Sequence, residues 1–217
     1  FMNQYDPKTV FSSIDKFGRY SFSNQPPITK WNLARFAECL IPIINKDEDT
    51  AIKLATETID NFQNIYEEKW LNMMRDKLGL YGNDKNDKKL INDLLNWMQK
   101  NKADYTNTFC YLMNIEIGNN KLYDDKDFVN WSKDWQKRVS ANEVSKENSI
   151  ELMKKTNPII IPRNHKVEEA LKAAYKDDYQ VIKKLLFNLN KPYDEKKGIE
   201  DYQYPSNDNG YQTFCGT

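Results

Sequence analysis

An all-α, multi-helix fold is predicted by two features of the sequence. Apolar residues recur at spacings of three and four along most of the chain, which marks one-sided helical faces. The apolar-to-polar alternation of strands is absent over any useful length. The 217 residues suffice for one large domain or two small ones, and for a sizeable core. They divide into an irregular N-terminal region over 1–27, a helical domain over 28–190 and a tail over 191–217.

Residues 1–27 are punctuated by Asp6-Pro7, Gly18 and Pro26-Pro27, all turn formers. Phe1, Tyr5, Phe11, Phe17, Tyr20 and Phe22 crowd this region. A loop so aromatic is expected to pack on something, within this chain or outside it. Helical spacing begins near Thr29 with Leu33, Phe36, Ala37, Leu40, Ile41 and Ile44. Pro42 should end or kink that helix, because it removes an N–H and clashes with the preceding turn. One long helix follows, with Ile52, Ala55, Ile59, Phe62, Tyr66, Trp70 and Met73 on its face. Asp47 or Asp49 caps its start, and Gly79 its end.

Beyond the polar turn at 83–86, Leu90, Ile91, Leu94, Leu95 and Met98 mark a third helix. Thr106 caps a fourth, which carries Phe109, Leu112 and Met113. Phe128, Trp131, Trp135 and Val139 define a fifth, and Ile150 with Met153 a short sixth. Asn157-Pro158 breaks the chain, and residues 159–162 are extended ahead of Pro162. Asn164 caps a seventh helix with Val167, Ala170, Leu171 and Ala174. Asp178 caps an eighth with Val181, Leu185, Leu186 and Leu189. The polar, tyrosine-rich tail follows Pro192.

Composition narrows the function. Lysine plus arginine and aspartate plus glutamate both total 32, so no global charge draws the chain to nucleic acid or anionic lipid. The strongest apolar run, 40–44, is far short of the roughly 20 residues of a membrane span. No signal-peptide pattern opens the sequence, and the text around Met2 reads as the middle of a longer frame. Cys39, Cys110 and Cys215 form no disulfide framework, which sets a reducing compartment as the default. No Gly-x-Gly occurs, and glycine-rich phosphate loops need such freedom. No nucleotide site of that type is expected.

Other residue types have ordinary explanations. His165 is the only histidine, and one imidazole with scattered thiols makes no metal site. It reads as structural, near a helix start. Asp124-Asp125 and Asp177-Asp178 precede helices, where negative charge favours the dipole. Lys88-Lys89 and Lys154-Lys155 read as solvated faces, and the tryptophans as core. The sequon at Asn130 is accidental, since Trp131 lies on a buried stripe.

Two segments mix strong hydrogen-bonding groups with aromatic or rigid backbone. The first holds Arg19, Asn24, Gln25, Asn32 and Arg35, which are expected to form a fixed network, because burial without partners costs about 1–3 kcal/mol per group. The second runs from Asn157-Pro158 to Ile161-Pro162-Arg163-Asn164-His165. Each is either a structural network or a ligand site.

These segments resemble the C-terminal part of the selenoprotein O family, pseudokinase-like protein adenylyltransferases. The residues carrying the resemblance are Tyr5-Asp6-Pro7, Gly18-Arg19-Tyr20-Ser21-Phe22, Asn24-Gln25-Pro26 and Trp31-Asn32-Leu33-Ala34-Arg35. Lys77-Leu78-Gly79-Leu80, Asp104-Tyr105-Thr106, Asn157-Pro158 with Ile161 to His165, Pro192-Tyr193 and Phe214-Cys215-Gly216-Thr217 complete it. The resemblance implies that the helices form the enlarged C-lobe of a kinase-like fold, with 1–27 as the activation-segment counterpart. It implies transfer of AMP from ATP to protein Ser, Thr or Tyr hydroxyls, with Mg2+ or Mn2+.

The family's ATP-binding, catalytic and metal-binding residues lie upstream of the matched region. No catalytic, cofactor-binding or metal residue is therefore carried onto this sequence. The chain alone is expected to be inactive and to hold no cofactor. Its expected partners are the upstream catalytic half of the same protein and protein substrates, with no nucleic acid and no membrane. The expected compartment is the cytoplasm of a bacterium or the mitochondrion of a eukaryote.

Cys215 resembles the position of the family's selenocysteine or redox cysteine. In some bacterial relatives that cysteine pairs with one just after the metal site, where this sequence has Phe11. Cys39 and Cys110 read as core thiols. The alternative to the enzyme is a non-enzymatic helical protein-interaction module.

Overall fold

A computed structural model describes residues 2–118 and 120–206. Cys215 lies outside the described residues. The described residues form helices and turns, with one isolated bridge between Gln4 and Asp104. All-α is therefore the observed class. The chain divides into two compact units. One is Pro7–Asn72, and the described part of the other is 2–6 with 73–206. The division falls inside one helix, α3.

In the unit over Pro7–Asn72, the principal element is α1, Gln25–Ile44. It starts four residues before the predicted Thr29, because Pro26 and Pro27 sit in its first turn, where no N–H is needed. Pro42 lies in its last turn, and the helix ends two residues later at Ile44. α1 packs against α2, Glu48–Asp60, which Asp47 caps by accepting from the Thr50 N–H at 2.9 Å.

The single long helix predicted over 52–73 is two helices. α2 ends at Asp60 and α3, Phe62–Lys77, begins beyond Asn61. Asn61 keeps right-handed angles, and its N–H reaches back to Glu57. The break is a single residue, which is why the apolar spacing runs through it. This unit leaves much apolar surface open. Phe17 is 98% exposed, Ile43 79% and Phe36 61%.

In the other unit, α4 (Asp87–Asn101) packs against α6 (Lys126–Ser140). Ile91, Leu94, Trp97 and Met98 are buried on α4, and Phe128, Trp131 and Trp135 on α6. The buried indoles each find a partner, as a half-polar ring requires. Trp97 donates to Asp125 at 2.7 Å, Trp131 to the Leu90 carbonyl at 2.8 Å and Trp135 to the Leu78 carbonyl at 2.9 Å. Trp31 departs from the core expectation, being 49% exposed, and Trp70 is half-buried.

α5, Tyr105–Leu112, is capped by Asp104 rather than Thr106, which lies buried within the helix. α7 is Lys146–Thr156, capped by Ser145. α8, Asn164–Ala174, begins at Asn164 itself, with Arg163 in the cap position. α8 packs on α9, Gln180–Leu189, and Asp178 accepts from the Gln180 N–H at 3.0 Å. The segment read as a tail adds α10, Glu200–Gln203. It also places Ile199 and Tyr202 in one buried cluster with Ile159, Ile160, Ala170 and Leu185. Pro192 does not end the packed structure, because its carbonyl accepts from the Ile159 N–H at 2.7 Å.

A buried carboxylate ties three of these elements together. Asp87, 1% exposed, accepts from Arg75 Nε at 2.7 Å and Arg138 Nε at 2.8 Å. Burial pushes its carboxyl up, but hydrogen bonds from Arg138, the Asp84 N–H and Arg75 together hold it below the usual range. Arg138 also donates to Asn142 and to the Tyr81 carbonyl, and Asn142 donates to the Gly79 carbonyl.

Gly79 ends α3 in the left-handed region at φ +67°, and the Leu80 N–H reaches back to Arg75. A Cβ there would stand 2.7 Å from the Ser149 carbonyl oxygen, a backbone atom that cannot swing away. Gly79→Ala is expected to lower unfolding stability by about 2 kcal/mol or more. Denaturant unfolding of the two forms measures this, and an unchanged midpoint contradicts the close approach.

Candidate functional site: a buried arginine at the start of α8

Arg163 follows Ile161-Pro162, and its own backbone is held extended at φ −58° and ψ 134°. Its carbonyl accepts from the Lys166 and Val167 N–H groups, so α8 starts immediately after it. The side chain turns inward and is wholly buried. A guanidinium cannot lose its proton, so its burial demands acceptors.

The fold supplies four. Nη1 donates to Asp104 at 2.6 Å and to Asn3 Oδ1 at 2.7 Å. Nη2 donates to the Gln203 carbonyl at 2.6 Å, to the other Asp104 oxygen at 3.1 Å and to Asn107 Oδ1 at 3.3 Å. The pairing with Asp104 is the two-pronged kind that fixes orientation as well as distance. Asp104 also caps α5, accepting from the Asn107 N–H at 2.8 Å. The second polar segment thus forms a hub at Arg163 in which Nη1 and Nη2 are paired, while Arg163 Nε and His165 Nδ1 are buried without a hydrogen-bond partner.

Asn157, 1% exposed, stands nearby in sequence and does comparable work. Its amide donates to the Lys77 carbonyl at 2.9 Å and to the Met153 carbonyl at 3.0 Å, so α7 is anchored to the end of α3. Lys77 is itself buried, with its ammonium 4.2 Å from the centre of the Phe109 ring and 5.3 Å from that of Tyr105. Burial lowers its pKa to about 8. Burial likewise pushes the Cys110 thiol up to about 12, which makes it an inert core thiol. Cys39, also read as core, is exposed on α1. His165 is half-buried beside the hub, and burial lowers its pKa.

The first polar segment lies in the unit over Pro7–Asn72. Asp15 accepts from the Arg19 and Tyr20 N–H groups, both at 2.8 Å. The Asn24 amide donates to the Arg19 carbonyl, and the Gln25 amide to the Tyr20 carbonyl. The Arg19 and Arg35 guanidiniums lie 4.7 and 5.5 Å from the Trp31 ring centre, and Arg35 pairs with Glu38 at 2.6 Å. Contacts therefore link Arg19, Asn24, Gln25 and Arg35 by way of backbone and Trp31. Asn32 stands exposed on α1.

Among the described residues, no group of three or more His, Cys, Asp or Glu side chains is placed to hold a metal ion. No described helix is long and apolar enough to cross a membrane. Sequence reasoning missed Lys77, Asp87 and Arg138. The one available signal was Lys77-Leu78-Gly79, a cation directly before a helix stop.

Two tests follow from these burials. Arg163→Met leaves Asp104 charged without its partner, and stability is expected to fall by about 3–5 kcal/mol. Asp104→Asn strands the buried guanidinium in turn and should cost a comparable amount, and an unchanged midpoint for either variant in denaturant unfolding would contradict the paired geometry. For Lys77, the folded pKa lies below the ordinary 10.5, so between about 8 and 10.5 the unfolded chain binds more protons. Stability should rise with pH across that window by about 3 kcal/mol. Lys77→Met should remove the rise, and a flat profile in the unsubstituted protein would contradict the burial.

Comparison with known proteins agrees with the motif segments. The family model described as protein adenylyltransferase SelO matches residues 1–190. The protein nucleotidyltransferase YdiU of Pelagibacter ubique strain HTCC1062 is 57% identical over all of this chain and 45% of its own length. Those of Bacillus cereus strain ATCC 14579 and Bacillus anthracis strain CDC 684 are 50% and 49% identical over the same shares. The chain thus spans less than half the length of these curated relatives. With its family model covering most of the residues and its relatives matching along the whole length, the chain belongs to the SelO family of protein adenylyltransferases.

Proposed function

We propose that this chain is the C-terminal part of an enzyme that transfers AMP from ATP to Ser, Thr or Tyr hydroxyls of proteins. The acceptor oxygen bonds to the α-phosphorus, pyrophosphate leaves, and the hydroxyl proton passes to a base. ATP with Mg2+ or Mn2+, and the residues that hold them, belong to the remaining length of the protein. The observation that carries this reading is the match of the whole chain, at 57% identity, to 45% of a protein nucleotidyltransferase.

Within that enzyme the helices serve as the C-lobe of a kinase-like fold. Residues 18–26 are the activation-segment counterpart, and α1 is the helix that anchors it. Arg19, Asn24, Gln25, Asn32 and Arg35 shape the segment, and Cys215 is the candidate redox residue. The apolar side chains left open on α1 and α2, Phe36, Ile43 and Ile52 among them, suit contact with the upstream half of the same protein. They also suit the second reading, a helical interaction module without catalysis. The compartment is the bacterial cytoplasm or the mitochondrion.

Incubation with ATP labelled at the α-phosphate, Mg2+ and a generic acceptor protein tests the reading. The full-length protein is expected to label the acceptor, ATP labelled at the γ-phosphate to leave it unlabelled, and this chain alone to label nothing. Robust labelling by the chain alone would overturn its assignment as an incomplete part. Absence of α-label with the full-length protein would overturn the transferase and leave the interaction module.

A further inference from the structure

We infer that Arg163 is a positioning residue for the transfer reaction, acting by fixing where the chain runs at residues 3–6. The inference rests on the functional reading above. Residues 3–6 belong to no helix, yet they are held at several points. The Tyr105 N–H donates to the Asn3 carbonyl and the Tyr5 N–H to the Ala103 carbonyl, both at 2.8 Å. The Tyr5 and Tyr105 rings stack with centres 5.7 Å apart, and the Gln99 amide reaches Asp6 at 3.3 Å.

Every one of these partners belongs to α4, to α5 or to the turn joining them, and the orientation of that turn is set by Asp104. Arg163 grips Asp104 with two prongs and, with the same Nη1, grips Asn3 directly. One rigid plane thus sets the strand-like segment and the turn it pairs with in register. A buried ion pair is a weak source of net stability compared with apolar packing. What the planar fork adds is geometric: it accepts few arrangements of the groups around it.

On one side residues 3–6 pass into Pro7, from which the chain runs on to the activation-segment counterpart beginning at Gly18. On the other they lead back to the part of the enzyme that holds ATP on the functional reading. A segment between those two regions must stay in place for the acceptor and the α-phosphorus to meet, and misplacement of reacting groups by about 1 Å can cost on the order of a hundredfold in rate.

The experiment uses the full-length protein carrying Asn3→Ala or Arg163→Lys. Asn3→Ala leaves the Arg163–Asp104 pair intact and so preserves the fold. Arg163→Lys keeps the charge and loses the fork. Three readouts are taken: amide hydrogen exchange at Tyr5 and Tyr105, thermal unfolding, and kcat and KM of AMP transfer well below the unfolding temperature. Both variants are expected to exchange these amides faster and to lower kcat, Asn3→Ala by about tenfold and Arg163→Lys by more, with KM for ATP and acceptor unchanged.

Lower thermal stability with unchanged kcat would mean a merely structural role and overturns the inference. Unchanged exchange at Tyr5 and Tyr105 overturns it as well. A full-length wild-type protein that transfers no AMP overturns the functional reading and any role of the clamp in transfer. An active wild type with indifferent variants overturns the positioning role alone.

Discussion

A guanidinium shut away from water can persist only where acceptors converge on it, and Arg163 draws its acceptors from three places in the sequence. Asn3 comes from the first residues, Asp104 and Asn107 from the start of α5, and the Gln203 carbonyl from α10. Moving any one of them leaves a charge or a donor unsatisfied in a medium that penalises both. This requirement fixes the ends of the helical unit to its middle. The Asp87 cluster repeats the solution, with one carboxylate holding Arg75 and Arg138 from two helices. Around both, apolar packing supplies the bulk of the burial, and the ions decide which arrangement of helices is accepted.

The two units use their apolar residues differently. Over 73–206, the indoles and the Phe109 and Phe128 rings are buried and the indole N–H groups are matched, while Leu186 and Phe187 of α9 stay exposed. Over Pro7–Asn72, Phe36, Ile43, Ile52 and Ile65 stand on helix faces in water. Fully burying such a side chain is worth about 1.5–3 kcal/mol, so leaving four of them open forgoes a large stabilisation for this unit. The Arg19–Trp31–Arg35 stack is similarly exposed, and a cation over an exposed ring contributes only about 0.5–1 kcal/mol.

How much of this was legible in the sequence depends on the distance over which the cause acts. The apolar spacing of α4, α6 and α9 is a local cause, and the helices lie where it places them. The break at Asn61 leaves the spacing intact and so left no trace. The start of α1 at Gln25 is hidden because Pro26-Pro27 reads as a turn, although proline also suits the first turn of a helix. Thr106 and Asp104 are both good cap residues two positions apart. The choice of Asp104 rests on Arg163, 59 residues away, which no local rule can see. The polar run ending at His165 announced a network but not its partners. Lys77 shows the same limit, since an ordinary lysine in the sequence becomes a buried one only through Phe109 and Tyr105.

The open face of α1 and α2 bears on what the chain is for. Exposed apolar residues scattered singly need no explanation, but several on one pair of packed helices form a patch that isolated soluble domains seldom show. An approximately 870 Å³ groove between α1 and α2, lined by Ala34, Ala37, Ile41, Ile52 and Ile59, adds concavity to that face. The relatives that match the whole chain are more than twice as long as the matched stretch, and on the proposed reading that further length supplies a covering surface. On the proposed reading, the helices nearest the activation-segment counterpart complete their core only against the ATP-holding half. The segment that must respond to substrate is then also the one whose stability depends on assembly, while the Arg163 unit brings a finished core of its own.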